Sequence, residues 1–373
     1  MPLAPSGPVA SPLPLAVRLD RLNIARAAAT LGVVFYHVLS GGVGGSVEVV
    51  FAQASEGIAR IFAVGIATFA AVGHRLVDFF FVLSGFVIHR LYCRWRERHP
   101  TASARQFATF FLWQRFWRLV PPFWIALFVS YVLAYDNPFS AEALRKLVVN
   151  ASLLKTLWPG YFFSVNHAHW YIAVQWQLDL LYPCFLYILH RRTSRIAFAV
   201  VLLITLAVRF GVPHFSSAAY FVNLPFRWWG EWILGVFLAD QHYRGRKLFP
   251  RPWLSAAVVV ALVGSAELIQ SGLLRWASHL LSFALIIEVV GCSRLPGTRI
   301  ERWIAPLGVW SYSLYLLHIP VLGLWSQLLE SLNLRPNGPV GWMISTAGAL
   351  IVTVCVSRLA YRWIEVPSVG LGT

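Results

Sequence analysis

Ten stretches of this chain are apolar over 17 residues or more, and that length decides what the chain can fold into. They lie near residues 22–42, 73–92, 118–135, 168–190, 196–212, 226–242, 253–270, 275–292, 305–329 and 341–363. Wound as a helix at about 1.5 Å per residue, such a run crosses the roughly 30 Å of hydrocarbon in a bilayer. Charged residues make up only 12% of the 373-residue chain, half the roughly one quarter carried by a soluble domain. The expected fold is therefore an all-α polytopic membrane protein of about ten transmembrane helices.

A net charge of +16 raises the question of a nucleic-acid partner, and the placement of the charge answers it. With these spans, 22 of the 31 basic residues fall on one side, from Arg18, Arg21 and Arg26 to Arg358 and Arg362. By the positive-inside rule that side is cytoplasmic, with both termini on it, as in a multi-pass protein of the plasma (bacterial inner) membrane. The basic charge encodes topology, and no nucleic acid is expected. Cys93, Cys184, Cys292 and Cys355 are scattered, so neither a disulfide framework nor a zinc cluster is signalled.

Three regions follow from this reading: a Pro-rich, disordered tail (1–17), a transmembrane domain (18–367) and a short C-terminal tail (368–373). A cleaved signal peptide is not expected, because three arginines precede the first apolar run and no cleavage site follows it. The longest loops are expected at 43–72 and 136–167 outside and 93–117 inside, leaving no room for a soluble catalytic domain. The apolar segment 58–73 reads as non-spanning, since an extra span would reverse the charge asymmetry after it. No repeat period or pair of matched broken helices of the transporter kind is evident.

Chemistry must then come from polar residues in or beside the membrane, where ionisable groups are functional candidates by default. Arg26 and His37 are eleven residues apart, almost three helical turns, so they share one face about 16 Å apart along the axis. A neutral imidazole in that setting can accept a proton; the bland alternative is a snorkelling arginine and a histidine bonded to a neighbouring helix. Arg115 and Arg118 stand three apart in "QRFWRLVPPFW", neighbours at the cytoplasmic boundary that could hold phosphate groups or merely anchor lipid headgroups. Pro121 and Pro122 are expected to start or kink the next span.

Asp78 stands at the outer edge of "HRLVDFFFVLSGFVIHRLY", where Ser84 and Gly85 favour close helix packing over nucleophilic chemistry. In "HAHWYIAVQWQLDLLYPC", Gln175, Gln177 and Asp179 form a polar patch beside Trp170, suited to a wet cavity or to interhelical hydrogen bonds. His167 and His169 lack an evident third ligand, and no metal is expected. Glu231, Tyr312 and His318 complete the set of substrate-binding or supporting candidates, while Glu267 and Glu288 receive no role.

In this order the stretches resemble the acyltransferase-3 family of integral-membrane acyltransferases. Arg26 and His37 match its Arg-x10-His helix, "VDFFFVLSGFVI" its second span, and "RFWRLVPPFW" its Arg-x-x-Arg followed by Pro and aromatics. "HWYIAVQWQLDLLYP", "SYSLYLLHIPVL" and "RWIEVP" match three later motifs. The likeness covers roughly residues 18–367; each motif alone is loose, but six in order are specific. It implies an O-acyltransferase that moves an acyl group, acetyl by default, from cytoplasmic acyl-CoA to a hydroxyl on a carbohydrate or another cell-surface or secreted acceptor. It further implies that His37 is the catalytic histidine, as general base or transient acyl carrier, and that Arg26, Arg115 and Arg118 bind the donor.

The chain departs from that pattern at Gln175, where many relatives carry glutamate, and at Asp179, which replaces the usual tyrosine. Asp179, one turn on from Gln175, could supply the missing carboxylate. The chain ends six residues after "EVP", so acceptor acylation is expected to finish in the membrane domain. A transporter or flippase, which would not consume acyl-CoA, and a non-catalytic scaffold, which would tolerate loss of His37, are the alternatives.

Overall fold

The computed structural model describes residues 15–40, 65, 73–191, 194–211, 223–246, 252–266, 269–292, 299–334 and 338–372. Residues 1–14 of the expected tail, nearly all of the 58–73 segment and Glu267 lie outside the described residues. Among the described residues the structure is helical, with no β-strand.

A helix stands at each of the ten expected span positions. These are α1 (Leu15–Leu39), α2 (Leu76–Arg98), α3 (Ala104–Ala134), α5 (Trp170–Arg191), α6 (Ser194–Leu206), α7 (Trp229–Tyr243), α8 (Pro252–Ala266), α9 (Gly272–Cys292), α11 (Ser311–Ser331) and α12 (Gly338–Ala360). Short α4 (Ala141–Ala151), α10 (Arg299–Val309) and α13 (Val366–Leu371) are the other α-helices among the described residues. By length and hydropathy alone, five described helices suffice to cross a membrane. A sixth is gained if α10 and α11, bent by 76° at Trp310, form one broken span. The chain is a polytopic helical membrane protein.

One expectation about loops is corrected. Residues 93–117 do not form a loop: α2 runs to Arg98, and α3 begins at Ala104 and passes straight through Pro121 and Pro122. Ser103 nucleates that helix through a capping box, its hydroxyl accepting from Gln106 N at 3.2 Å while its own N–H donates to Gln106 Oε1 at 2.7 Å. The prolines remove the ladder donors for the carbonyls of Trp117 and Arg118, and Ser368 of α13 donates to the freed Trp117 O. The 136–167 loop is likewise structured, carrying α4 and two 3-10 turns, Lys155–Leu157 and Pro159–Tyr161.

The tightest helix crossing is between α2 and α7. A Cβ on Gly85 would sit 1.9 Å from Trp232 O, and one on Gly235 would sit 1.8 Å from Val82 O. Both positions admit only glycine because backbone meets backbone there, the arrangement through which small residues let membrane helices approach. Gly308 of α10 meets Asn23 O of α1 in the same way, at 1.8 Å. Gly235→Ala is expected to force α2 and α7 apart and to cost at least the about 1–3 kcal/mol of an overpacked core. A thermal melt in detergent should show a lowered midpoint for it, whereas Gly160→Ala, with nothing within 4 Å of the added carbon, should melt like wild type.

Candidate active site

The α1 stripe is as the spacing predicts. Thr30 and Val33, between Arg26 and His37, are buried, and Thr30 Oγ1 ties back to Arg26 O at 2.8 Å. Arg26 turns into a cavity of about 370 Å³ that it lines together with Arg115 and Arg118 of α3, Gln175 of α5 and Tyr312 of α11. That volume is within the range of small-ligand sites. Three guanidiniums, on two helices that are distant in sequence, therefore line one space.

Two carboxylates stand against them. Arg115 Nε donates to Asp179 Oδ2 at 2.6 Å, and Asp179, fully buried, accepts from Gln175 Nε2 through its other oxygen at 2.7 Å. Such a pair must form here, because hydrocarbon leaves an isolated charge unsolvated. Asp179 thus holds an arginine. Glu365, buried in the π-helical turn Tyr361–Glu365, accepts from Ser313 Oγ at 2.6 Å and lies within electrostatic reach of Arg118 and Arg26. Among these five groups the formal balance leaves one positive charge.

The cavity is also lined by Phe80, Tyr171 and Tyr315. Their rings form a layer, with centroids 6.0 Å apart for Phe80–Tyr171, 6.4 Å for Phe80–Tyr315 and 5.3 Å for Tyr171–Tyr315. Tyr315 is locked by donating to Ala168 O at 2.6 Å, whereas Tyr171 reaches Gln175 Oε1 only at 3.4 Å. On its other side the Tyr315 ring packs against His318 at 5.5 Å.

His318 belongs to a group of imidazoles. The ring of His37 lies 4.9 Å from that of His318 and 5.0 Å from that of His167. His37 Nδ1 is 3.0 Å from Val33 O and 3.2 Å from His318 Nε2, and His318 Nδ1 is 2.6 Å from Tyr315 O. His169 faces away, its Nε2 near Asn166 Nδ2 at 3.1 Å and Leu316 O at 3.2 Å. Among the described residues no three His, Cys, Asp or Glu side chains are grouped to hold a metal ion.

Of the remaining sequence candidates, Glu231, Asp78, Trp170 and Gln177 do not line this space. Glu231 accepts from Arg209 Nη2 at 2.5 Å and from Trp276 Nε1 at 2.7 Å. Asp78 pairs loosely with Arg75 at 4.0 Å. Trp170 stacks among Phe162 and Trp228, and Gln177 is spent on Thr156 and Leu153 O in the structured loop. Tyr312 lines the arginine cavity while donating to Leu119 O at 2.6 Å. Tyr171, Tyr315 and Glu365 were not singled out from sequence. Tyr171 was within reach, since Tyr171, Gln175 and Asp179 follow one helical face at intervals of four.

This geometry can be set beside known proteins. The chain matches the acyltransferase-3 family, an acyltransferase domain, over residues 19–362. It belongs to that family. A protein of Komagataeibacter xylinus named as a membrane-bound transacylase, BcsY, is 25% identical over 312 residues, covering 78% of this chain and 74% of that one. A protein of Bacillus subtilis strain 168 named as a peptidoglycan O-acetyltransferase, YrhL, is 25% identical over 330 residues, 78% of this chain. The chain spans about half the length of YrhL, 50% of it. No solved structure matches.

The structured loop holds one costly group. Lys155 is fully buried and bonds only weakly to Ser164 O, at 3.4 Å. Burial pushes its ammonium down to about 7 from the ordinary 10.5, and burial followed by the lysine's charge pushes His167 down as well. Between pH 7 and 10.5 the unfolded chain holds a proton that the native state has released, so stability rises with pH across that window. Thermal unfolding in detergent from pH 6.5 to 9.5 should show this rise, worth up to a few kcal/mol at about 1.4 kcal/mol per pH unit. Lys155→Met should flatten the curve and be the more stable protein at its acidic end.

Proposed function

We propose that this membrane acyltransferase transfers an acyl group, acetyl by default, from acyl-CoA to a hydroxyl of a carbohydrate or other cell-envelope acceptor. The observation that carries the reading is the joint lining of one cavity by Arg26, Arg115 and Arg118, joined through Tyr315 and His318 to His37. Guanidiniums bind phosphate oxygens through paired, charge-assisted hydrogen bonds, and the one uncompensated charge suits an anionic donor. The names of the two relatives, a transacylase and a peptidoglycan O-acetyltransferase, agree with this chemistry. On this reading the arginine-rich end is cytoplasmic, with both termini there, and the protein sits in the bacterial inner membrane.

The donor's phosphates bind at the arginines and its pantetheine arm points toward the aromatic layer. The thioester reaches His37 when that layer parts, and Tyr171, the less firmly held of the two tyrosines, is the side chain that moves. His37 takes the proton of the acceptor hydroxyl as its oxygen attacks the thioester carbonyl. Collapse of the tetrahedral intermediate breaks the C–S bond, and the imidazolium returns the proton to the departing thiolate. The products are the acyl ester and free CoA.

Purified protein in lipid nanodiscs, with radiolabelled acetyl-CoA and extracted surface glycans, tests this reaction. His37→Ala should lower label transfer by the roughly 10²–10⁴-fold typical of a lost general base. Arg118→Gln should raise the donor KM about tenfold or more with kcat little changed. It is a cleaner probe than Arg115→Ala, which also strips Asp179 of its partner. If acyl-CoA is neither bound nor consumed and His37→Ala supports the same host phenotype, the enzyme reading fails and a transporter is favoured.

A further inference from the structure

The contacts around His37 and His318 determine which nitrogen of each neutral ring carries the proton. His318 Nδ1 faces Tyr315 O at 2.6 Å. A carbonyl only accepts, so Nδ1 must be the N–H and His318 Nε2 must carry the lone pair. His37 Nδ1 then faces two acceptors, Val33 O at 3.0 Å and His318 Nε2 at 3.2 Å. It too must be the N–H. The lone pair of His37 is left on Nε2, away from both contacts.

The two acceptors are not equivalent. Val33 O lies four residues back on the same helix, where the α-helical ladder already engages it with a backbone N–H. His318 Nε2 has no such prior claim, and it comes from α11, 281 residues away in sequence. His318 is itself fixed from behind by its bond to Tyr315 O, and its ring is fully buried. Its orientation is therefore set before any substrate arrives.

We infer that His318 is a positioning residue, which holds His37 as the Nδ1–H tautomer with Nε2 as the basic atom and steadies the imidazolium when Nε2 takes a proton. This rests on the acyl-transfer reading for its catalytic consequence, but not for its structural one. The logic is that of a base whose far N–H is held by a third group, with a neutral imidazole in the place where a hydrolase triad has a carboxylate. A neutral acceptor avoids burying another charge in hydrocarbon. It also means that no net charge is created when His318 orients the base, only when the acceptor's proton reaches His37.

The test combines a spectroscopic and a kinetic arm on the full chain in nanodiscs. Solid-state NMR of protein labelled with ¹⁵N-histidine distinguishes Nδ1–H from Nε2–H tautomers, and subtraction of the His37→Gln spectrum isolates His37 among the 11 histidines. In wild type His37 should be Nδ1–H. In His318→Leu a substantial share of Nε2–H should appear. There kcat should fall at least ~100-fold, by analogy with a mis-set triad tautomer, while the acyl-CoA KM stays within about twofold. His318→Gln, whose amide oxygen can accept the same bond, should keep the Nδ1–H form and recover at least ~10-fold of the lost kcat; if the leucine variant does not fold, His318→Phe, which likewise has no acceptor, takes its place. A His37 that stays wholly Nδ1–H when His318 can no longer accept overturns the inference, whatever happens to turnover. If wild type transfers no acyl group, the proposed reaction fails while the NMR arm still decides the role of His318.

Discussion

Arg115 and Asp179 meet at 2.6 Å where the aspartate is fully buried and could not be solvated alone, and much of the site is arranged around that fact. A bilayer offers no water to an orphaned charge or carbonyl, so every polar group at depth needs a protein partner. Asp179 accepts Arg115 on one oxygen and Gln175 on the other, and Gln175 leaves its carbonyl oxygen to Tyr171. One stripe of α5 thus connects the arginine cavity to the aromatic layer. The same constraint places Ser368 on the carbonyl freed by Pro121, and pairs Glu231 with Arg209 and Trp276 on the far side of the bundle.

The helices were legible because their signal is local. An apolar run of span length reports itself, and the Arg26-to-His37 stripe follows from helical periodicity. The start of α3 was misplaced for a specific reason. Ser103-x-x-Gln106 is a recognisable capping signal, but the Pro121–Pro122 pair looks stronger as a helix boundary. Prolines within a membrane helix are tolerated when a neighbour takes up the freed carbonyl, and that neighbour, Ser368, lies 251 residues away. No local pattern could have shown it.

The site was legible only in part, and again distance along the chain explains the gap. His37, His167 and His318 are each visible as polar residues in apolar surroundings, yet nothing near any one of them in sequence says that the three rings gather. His167 invited a reading as half of a metal pair with His169; the fold instead points His167 at His37 and turns His169 toward Asn166 and Leu316. Glu365 sat in a quoted motif without a role until the fold brought it near Arg26 and Arg118. Gln177 drew attention as a cavity residue and proves to be spent on anchoring the structured loop.

The aromatic layer gives these separate observations a common sense. A thioester next to a general base is open to hydrolysis if water reaches both, and enzymes limit that loss by excluding water from the reacting groups. Phe80, Tyr171 and Tyr315 line the arginine cavity, and Tyr315 also packs against His318, the neighbour of His37; in the proposed reaction these rings would keep the hydrated end of the donor apart from the imidazole. In the proposed reaction a donor phosphate at Arg115 competes with Asp179 for the same guanidinium. Any weakening of that ion pair would be felt by Gln175, whose carbonyl oxygen is the long, 3.4 Å acceptor of the Tyr171 hydroxyl. Donor binding and opening of the layer would then draw on the same three hydrogen bonds, so the path to His37 would open chiefly when there is an acyl group to send through it. Gln175 beside Asp179 acquires a physical reason on this view, since a neutral amide can donate to the aspartate and accept from the tyrosine at once. A carboxylate at position 175 could do only the second.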